Sequence, residues 1–323
     1  MTKITTTFIK KAINWSMRFL IGWRTTLFLC SMLVLFSCRK GKEIEPQIAS
    51  PEARRIITKN LSGVKGTYAF PPLINRKKID CDKLISELKD LHANCYNWLV
   101  LTGHDEWEDL PVFLPKARAA GIKVWVTVLP PSETYIPNYC SEPYRNDYFK
   151  WAEELAKLSL VYDNLVAWSI DDFPVEKNMK LFTRPYIREM RQKMNAINPN
   201  FGFIPCIYYR DFTPQFAREY GGFFDGVLFP YYAASRGKGN FTDYNTLTNE
   251  LKVFKACFGK NIPIIVDVYA GEVSFLQGIA SPSYIYNLIK LANANADGAT
   301  IYCHRDAVRN PENIESVKSG FAE

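Results

Sequence analysis

From Lys65 to the C-terminus, short apolar runs alternate with longer amphipathic stretches. The apolar runs are Lys65 to Phe70, Cys95 to Thr102, Lys123 to Leu129, Leu165 to Ile170, Phe201 to Tyr209, Gly226 to Tyr232, Ile262 to Tyr269 and Gly298 to His304. Runs of this length, bounded by turn residues, suit strands buried on both faces. The stretches between them carry helical periodicity and helix punctuation. Leu84, Leu88 and Leu91 share one face of a helix expected over Asp80–His92. Gly121 and Gly259 stand just past the ends of helices expected over Val112–Ala120 and Leu247–Phe258. Thr183 with Pro185 and Ser281 with Pro282 open two more. Helices are also expected over Asp147–Val161, Pro214–Tyr220 and a last stretch closing near Phe321. Eight βα units in one chain predict a parallel sheet closed on itself, an α/β fold of the (β/α)8 TIM-barrel type, as a single domain over residues 62–323.

Charge and composition change this picture mainly at the N-terminus. The chain has 323 residues, 47% hydrophobic and 23% charged, a globular balance. Its net charge of +7 is uneven: residues 1–37 hold Lys3, Lys10, Lys11, Arg18 and Arg24 and no acid. Without them 35 basic residues face 33 acidic ones, which is no footprint for nucleic acid. The basic segment leads into the apolar run TLFLCSMLVLFS, too short for a comfortable membrane span and suited to a secretory signal. With Cys38 after Leu35, Phe36 and Ser37, it resembles a bacterial lipoprotein signal, the LFSC taking the place of a lipobox. That resemblance implies cleavage after residue 37, lipidation of Cys38, and a membrane-anchored protein of the cell envelope, on its periplasmic face or at the cell surface. Residues 38–61, polar and holding Pro46 and Pro51, are expected to form a flexible tether.

Six cysteines follow Cys38, in a compartment that would permit disulfides. Cys95, Cys206 and Cys303 fall in expected strands, where buried thiols are ordinary. No CxxC, HExxH, GxGxxG, P-loop or GxSxG pattern occurs, so no metal, no cofactor and no nucleotide is expected.

Chemistry concentrates at the strand ends, where closed βα barrels keep their active sites. The fourth run, LVAWSIDDFP, stops at the adjacent carboxylates Asp171 and Asp172. Two such groups side by side disfavour each other's ionisation, so one can hold a proton near neutral pH. The alternative is that Asp171 caps a turn and Asp172 is solvated. Alternation along strands sharpens the choice. Ser169 and Asp171 should face the barrel axis, with Trp168 and Ile170 toward the helices. Asp267 and Tyr269 share a face, as do Tyr302 and His304, and burying a carboxylate among helices would be costly. The catalytic candidates are therefore Asp171, Asp172 and Asp267. Tyr68, His104, Trp107, Glu133, Tyr209, Tyr231, Tyr269, Glu272, Tyr302 and His304 complete the candidate rim. Aromatic faces against sugar C–H groups, with carboxylates and imidazoles for hydroxyls, make a carbohydrate-like lining.

The pattern of acids ending a fourth barrel strand resembles glycoside hydrolase barrels. WSIDDF in particular is similar to the paired aspartates of β-N-acetylglucosaminidases that use substrate assistance. The resemblance implies that Asp171 orients the substrate acetamide and Asp172 is general acid and base. A second resemblance, to retaining barrel glycosidases, implies Asp172 as acid with Asp267 or Glu272 as nucleophile. Carboxyls about 5 to 5.5 Å apart would mark that mechanism. Two functions stay open: a glycoside hydrolase acting on oligo- or polysaccharide, and a non-catalytic glycan-binding lipoprotein on a degenerate barrel.

Overall fold

The computed structural model describes residues 49–75, 77–101, 105–134, 139–232, 243–271, 280–302 and 310–323. Eight parallel strands run in the order β7-β6-β5-β4-β1-β10-β9-β8. They are β1 (Val64–Tyr68), β4 (Cys95–Val100), β5 (Lys123–Val128), β6 (Leu165–Ile170), β7 (Gly202–Phe203), β8 (Val227–Tyr231), β9 (Ile264–Tyr269) and β10 (Gly298–Tyr302). Beyond the short β7 ladder, Cys206 bridges to Leu228 and the Leu228 N–H donates to Pro205 O at 3.1 Å, joining the two ends of the sheet. The fold is the expected (β/α)8 barrel. A small antiparallel hairpin, β2 (Leu73–Ile74) with β3 (Lys78–Ile79), follows β1.

Nine of the described α-helices follow β1: α2 (Cys81–Asp90), α3 (Glu106–Ala119), α4 (Tyr148–Val161), α5 (Glu176–Met179), α6 (Arg184–Ile197), α7 (Pro214–Tyr220), α8 (Leu247–Phe258), α9 (Pro282–Asn295) and α10 (Pro311–Ala322). Side-chain caps start several of them, as with Asp147 accepting from Lys150 N at 2.9 Å and Thr183 from Tyr186 N at 3.4 Å. Helix α3 begins six residues before Val112, at Glu106, and carries Pro111 and Pro115 inside it. Those prolines read as breakers, yet the acidic first turn of Glu106, Glu108 and Asp109 complements the helix dipole. Among the described residues no helix is long and apolar enough to cross a membrane.

The expected tether is corrected in part. Residues 51–61 form helix α1 (Pro51–Leu61), capped by Ser50, whose side chain accepts from Ala53 N at 3.2 Å. Ala53, Ile57 and Leu61 recur at helical spacing and are buried. Ile57 and Leu61 join Val64, Cys95, Trp125, Ala167, Ile204, Leu228 and Ile265 inside the N-terminal end of the barrel. Glycines make the room. A Cβ on Gly202 would meet Ile57 at 3.0 Å, and one on Gly226 would meet Leu61 at 3.1 Å. Burying two such side chains stabilises the fold by roughly 1.5–3 kcal/mol each.

Charge closes the same end. Asp225, 1% exposed, accepts the Arg191 guanidinium at 2.5 Å and the Phe203 N–H at 2.9 Å. Arg54 of α1 stands 4.0 Å from its other oxygen and donates to Phe224 O at 3.4 Å. The alternation holds: Trp168, Ile170, Val266 and Val268 belong to the helix-facing core.

Candidate active site

Strands β5 and β6 pair through Val128 and Ile170, and the Asp171 N–H continues the ladder to Val128 O at 3.1 Å. On the other side, the Cys206 N–H donates to Ile170 O at 3.1 Å and the Phe173 N–H to Cys206 O at 3.0 Å. Asp171 is thus fixed from both flanks. Asp172 then turns the chain, with φ at 41°. This left-handed conformation is tolerated by Asp and avoided by most residues. The Asp172 carbonyl is held by the Asn178 Nδ2 at 2.7 Å and the Val175 N–H at 3.2 Å.

The carboxyls of Glu133, Asp171, Asp172 and Asp267 line one cavity of about 230 Å³ at the C-terminal mouth of the barrel. Tyr68, Tyr139, Tyr208, Tyr269 and Tyr302 share its wall with Phe70, Leu99 and Leu101. Pockets for drug-sized ligands run from about 300 Å³ upward, so this one suits a single sugar-sized ring. Edge contacts chain Tyr68 to Tyr302 (5.3 Å), Tyr302 to Tyr269 (5.3 Å), Tyr269 to Tyr232 (6.2 Å) and Tyr232 to Tyr208 (5.7 Å).

Burial is the first cause of every shift here. It pushes Asp171 up, while donors from Tyr68 (2.5 Å), Cys206 and the Asp172 N–H (3.1 Å) pull the other way. Burial and the charge of Asp171 raise Asp172, against hydrogen bonds from Glu133 and Tyr208. Burial, then Asp171 and Asp172, raise Glu133, which shares a hydrogen bond with Asp172. Asp267 is pushed up to about 7 by burial, although Thr300 donates to it at 2.6 Å. Arg210 stands near Asp172 but is engaged elsewhere: it pairs with Asp211 at 3.2 Å and lies over Tyr208 at 5.3 Å.

Seven of the expected site residues come together: Tyr68, Glu133, Asp171, Asp172, Asp267, Tyr269 and Tyr302. Three lie elsewhere. Trp107, near the start of α3, packs edge-on against Tyr144 (5.6 Å) and Trp151 (5.3 Å) in the helix layer. Tyr209 turns to Phe254 on α8 (5.9 Å). Tyr231 donates to Asp243 O at 2.9 Å and contacts Thr246, with its ring near Phe229. Their neighbour Tyr208 lines the cavity instead, and Tyr232 packs edge-on against Tyr208 and Tyr269. Counting by twos from the inward Cys206 identifies Tyr208, and the outward Phe229 implies outward Tyr231 and inward Tyr232. His104, Glu272, His304 and Cys38 lie outside the described residues.

Donor atoms of Asp171, Asp172 and Cys206 lie within 4.8 Å of one another. A metal there would need the Cys206 thiolate. Burial and the two aspartates hold that thiol well above its usual range, and it donates to Asp171.

No protein-family model and no curated protein matches the sequence. Solved structures match the fold. A GH2 β-galacturonidase from Eisenbergiella tayi is 13% identical, with a TM-score of 0.52, over 81% of this chain and 51% of that one. A β-glucuronidase from an uncultured Clostridium is 16% identical, with a TM-score of 0.50, over 74% and 43%. A GH5-4 endoglucanase from an uncultured bovine rumen ciliate is 11% identical, with a TM-score of 0.52, over 84% and 98%. The chain spans about half the length of the first two. At these identities the likeness is one of fold: this is an α/β barrel of the kind on which these glycoside hydrolases are built.

Proposed function

We propose that this protein is a glycoside hydrolase whose active site is the carboxyl-lined cavity, with Asp172 as general acid and base. The observation that carries this reading is the convergence of Glu133, Asp171, Asp172 and Asp267 on one small tyrosine-walled cavity at the strand ends. A raised carboxyl such as Asp172 keeps the proton that a departing sugar oxygen needs. Asp171, with donors from Tyr68, Cys206 and its own neighbour's backbone, is the orienter. In the first step the substrate acetamide oxygen bonds to the anomeric carbon as the glycosidic bond breaks. Asp172 gives its proton to the leaving oxygen. In the second step Asp172 takes a proton from water, whose oxygen replaces the acetamide oxygen at the anomeric carbon. Asp267 suits a nucleophile poorly, since a carboxyl pushed up to about 7 is substantially protonated at neutral pH.

The charge of the cavity argues for neutral or basic sugars. No Lys, Arg or His lines it among the described residues, so a uronate would meet carboxyls. The substrate is oligo- or polysaccharide at the cell envelope, where lipid on Cys38 holds the protein to the membrane after loss of residues 1–37. Cys38→Ser should release it from membranes; retention would mean a helical anchor.

The direct test is a panel of aryl glycosides with the wild-type protein. N-Acetylhexosaminides should be hydrolysed and β-glucuronides refused. Tight glycan binding with no turnover of any member would replace this reading with that of a glycan-binding lipoprotein.

A further inference from the structure

We infer that Asn178 is a positioning residue that holds the loops carrying Glu133 and Asp172 in register, so that the two carboxyls meet as one hydrogen-bonded pair. The inference rests on the glycosidase reading only for its catalytic consequence. Asn178 lies in the short helix α5, after the turn at Asp172, and is 0% exposed. Its side chain spends both ends on the two loops. The Oδ1 accepts from the Ser132 N–H at 2.8 Å, one residue before Glu133. The Nδ2 donates to the Asp172 carbonyl at 2.7 Å. One side chain thus ties the segment after β5 to the segment after β6.

Its own backbone is fixed as well. The Asn178 N–H donates to Val175 O at 2.8 Å, and its carbonyl accepts from Leu181 and Phe182, both at 3.0 Å. Glu133 is anchored in turn by its N–H to Pro130 O at 3.1 Å. The left-handed φ of Asp172, 41°, is therefore supported by the amide that fixes Glu133 across from it. A buried amide with donor and acceptor both used is a rigid connector; losing it takes that acceptor from the Ser132 N–H and leaves the Asp172 carbonyl with the longer bond from the Val175 N–H alone. No aliphatic side chain of similar volume can replace it.

Several groups face the pair. Asp171, Tyr139 and Tyr148 lie near Glu133, and Asp171, Cys206, Tyr208 and Arg210 lie near Asp172. Asp267 feels Asp171, but neither Glu133 nor Asp172 is among the groups that shift it. It is an internal control.

The test is carboxyl carbon titration by NMR on the wild type, Asn178→Leu and Asn178→Ala. In both variants the Glu133 midpoint should fall by about one pH unit or more toward the ordinary carboxylate range, as contact with Asp172 is lost. The Asp267 midpoint should stay where it was. If the Glu133 midpoint is unchanged in a folded variant, Asn178 is not the connector. If Asp267 moves equally, the effect is a general loosening and the inference fails. Should neither variant fold, Ser132→Pro removes the same N–H from the other side, and the same two midpoints decide. The titrations need no substrate. Moved midpoints in a protein inert on every glycoside would uphold this inference while ending the glycosidase reading. With an active wild type, the variants should lose kcat about tenfold or more with little change in KM.

Discussion

The two ends of this barrel treat buried charge in opposite ways. At the N-terminal end, Asp225 is met by Arg191 at 2.5 Å and by Arg54 at 4.0 Å, under a plug of Ile57 and Leu61. At the C-terminal end, the donors that Asp171 and Asp267 meet among the described residues are neutral: Tyr68, Cys206 and the Asp172 N–H for the first, Thr300 for the second. A buried carboxylate with a guanidinium partner contributes to holding a fold together. Buried carboxyls without one resist ionisation and keep protons available at neutral pH. The end that carries the paired charge is the scaffold; the end where the described residues show no such partner for Asp171 and Asp267 is where chemistry is expected.

Each half of this contrast can be broken separately. Arg191→Met should cost about 3–5 kcal/mol, because Asp225 keeps its burial and loses its close partner. Urea unfolding measures this, and a loss under 1 kcal/mol would remove Arg191 from the scaffold. Ile57→Ala should cost about 2–4 kcal/mol by opening a void in the barrel plug. A negligible loss there would return residues 51–61 to the status of a tether. The smallest effect concerns the other mouth. Asp267, pushed up to about 7, Asp171, Asp172 and Glu133 all sit above their unfolded values. The native state therefore binds more protons than the unfolded chain between about pH 4 and 8. Stability is then full below the unfolded values and declines as pH rises through the folded ones. The protein should be about 1–3 kcal/mol less stable at pH 8.5 than at pH 5. Asp267→Asn should flatten part of that slope, and a slope of opposite sign would contradict the contrast.

Much of this arrangement was legible in the residue pattern, for a physical reason. Parallel barrel strands are buried on both faces, so they stand out as continuous apolar runs, and period-2 counting then placed Asp171, Asp267 and Tyr269 on the interior. The same counting, applied to the end, separates Tyr208 from Tyr209 and Tyr232 from Tyr231. For Tyr208 and Tyr209 it was obscured because β7 is only two residues long and the run extends irregularly beyond it, whereas β8 is regular and the count from Phe229 separates Tyr231 from Tyr232 directly. Helix α1 hid behind its charges, Arg54, Arg55 and Lys59, although Ala53, Ile57 and Leu61 keep helical spacing. Trp107 was misjudged because Pro111 and Pro115 disguised the helix that carries it. The meeting of Glu133 with Asp172 had no signature in the sequence. It depends on two loops being tied by Asn178, a contact between residues 46 positions apart.

The central claim is that Asp172 delivers the proton to the leaving group. Asp172→Asn keeps the shape of the side chain and removes that proton. The measurement is kcat/KM of wild type and variant on a matched pair of glycosides, one with an activated aryl leaving group and one with a sugar leaving group. The account predicts a loss of about 10²–10⁴-fold on the sugar substrate and a small loss on the aryl one. In the wild type, activity should also fall on the alkaline side as Asp172 ionises. Equal losses on both substrates, or none on either, would contradict the account.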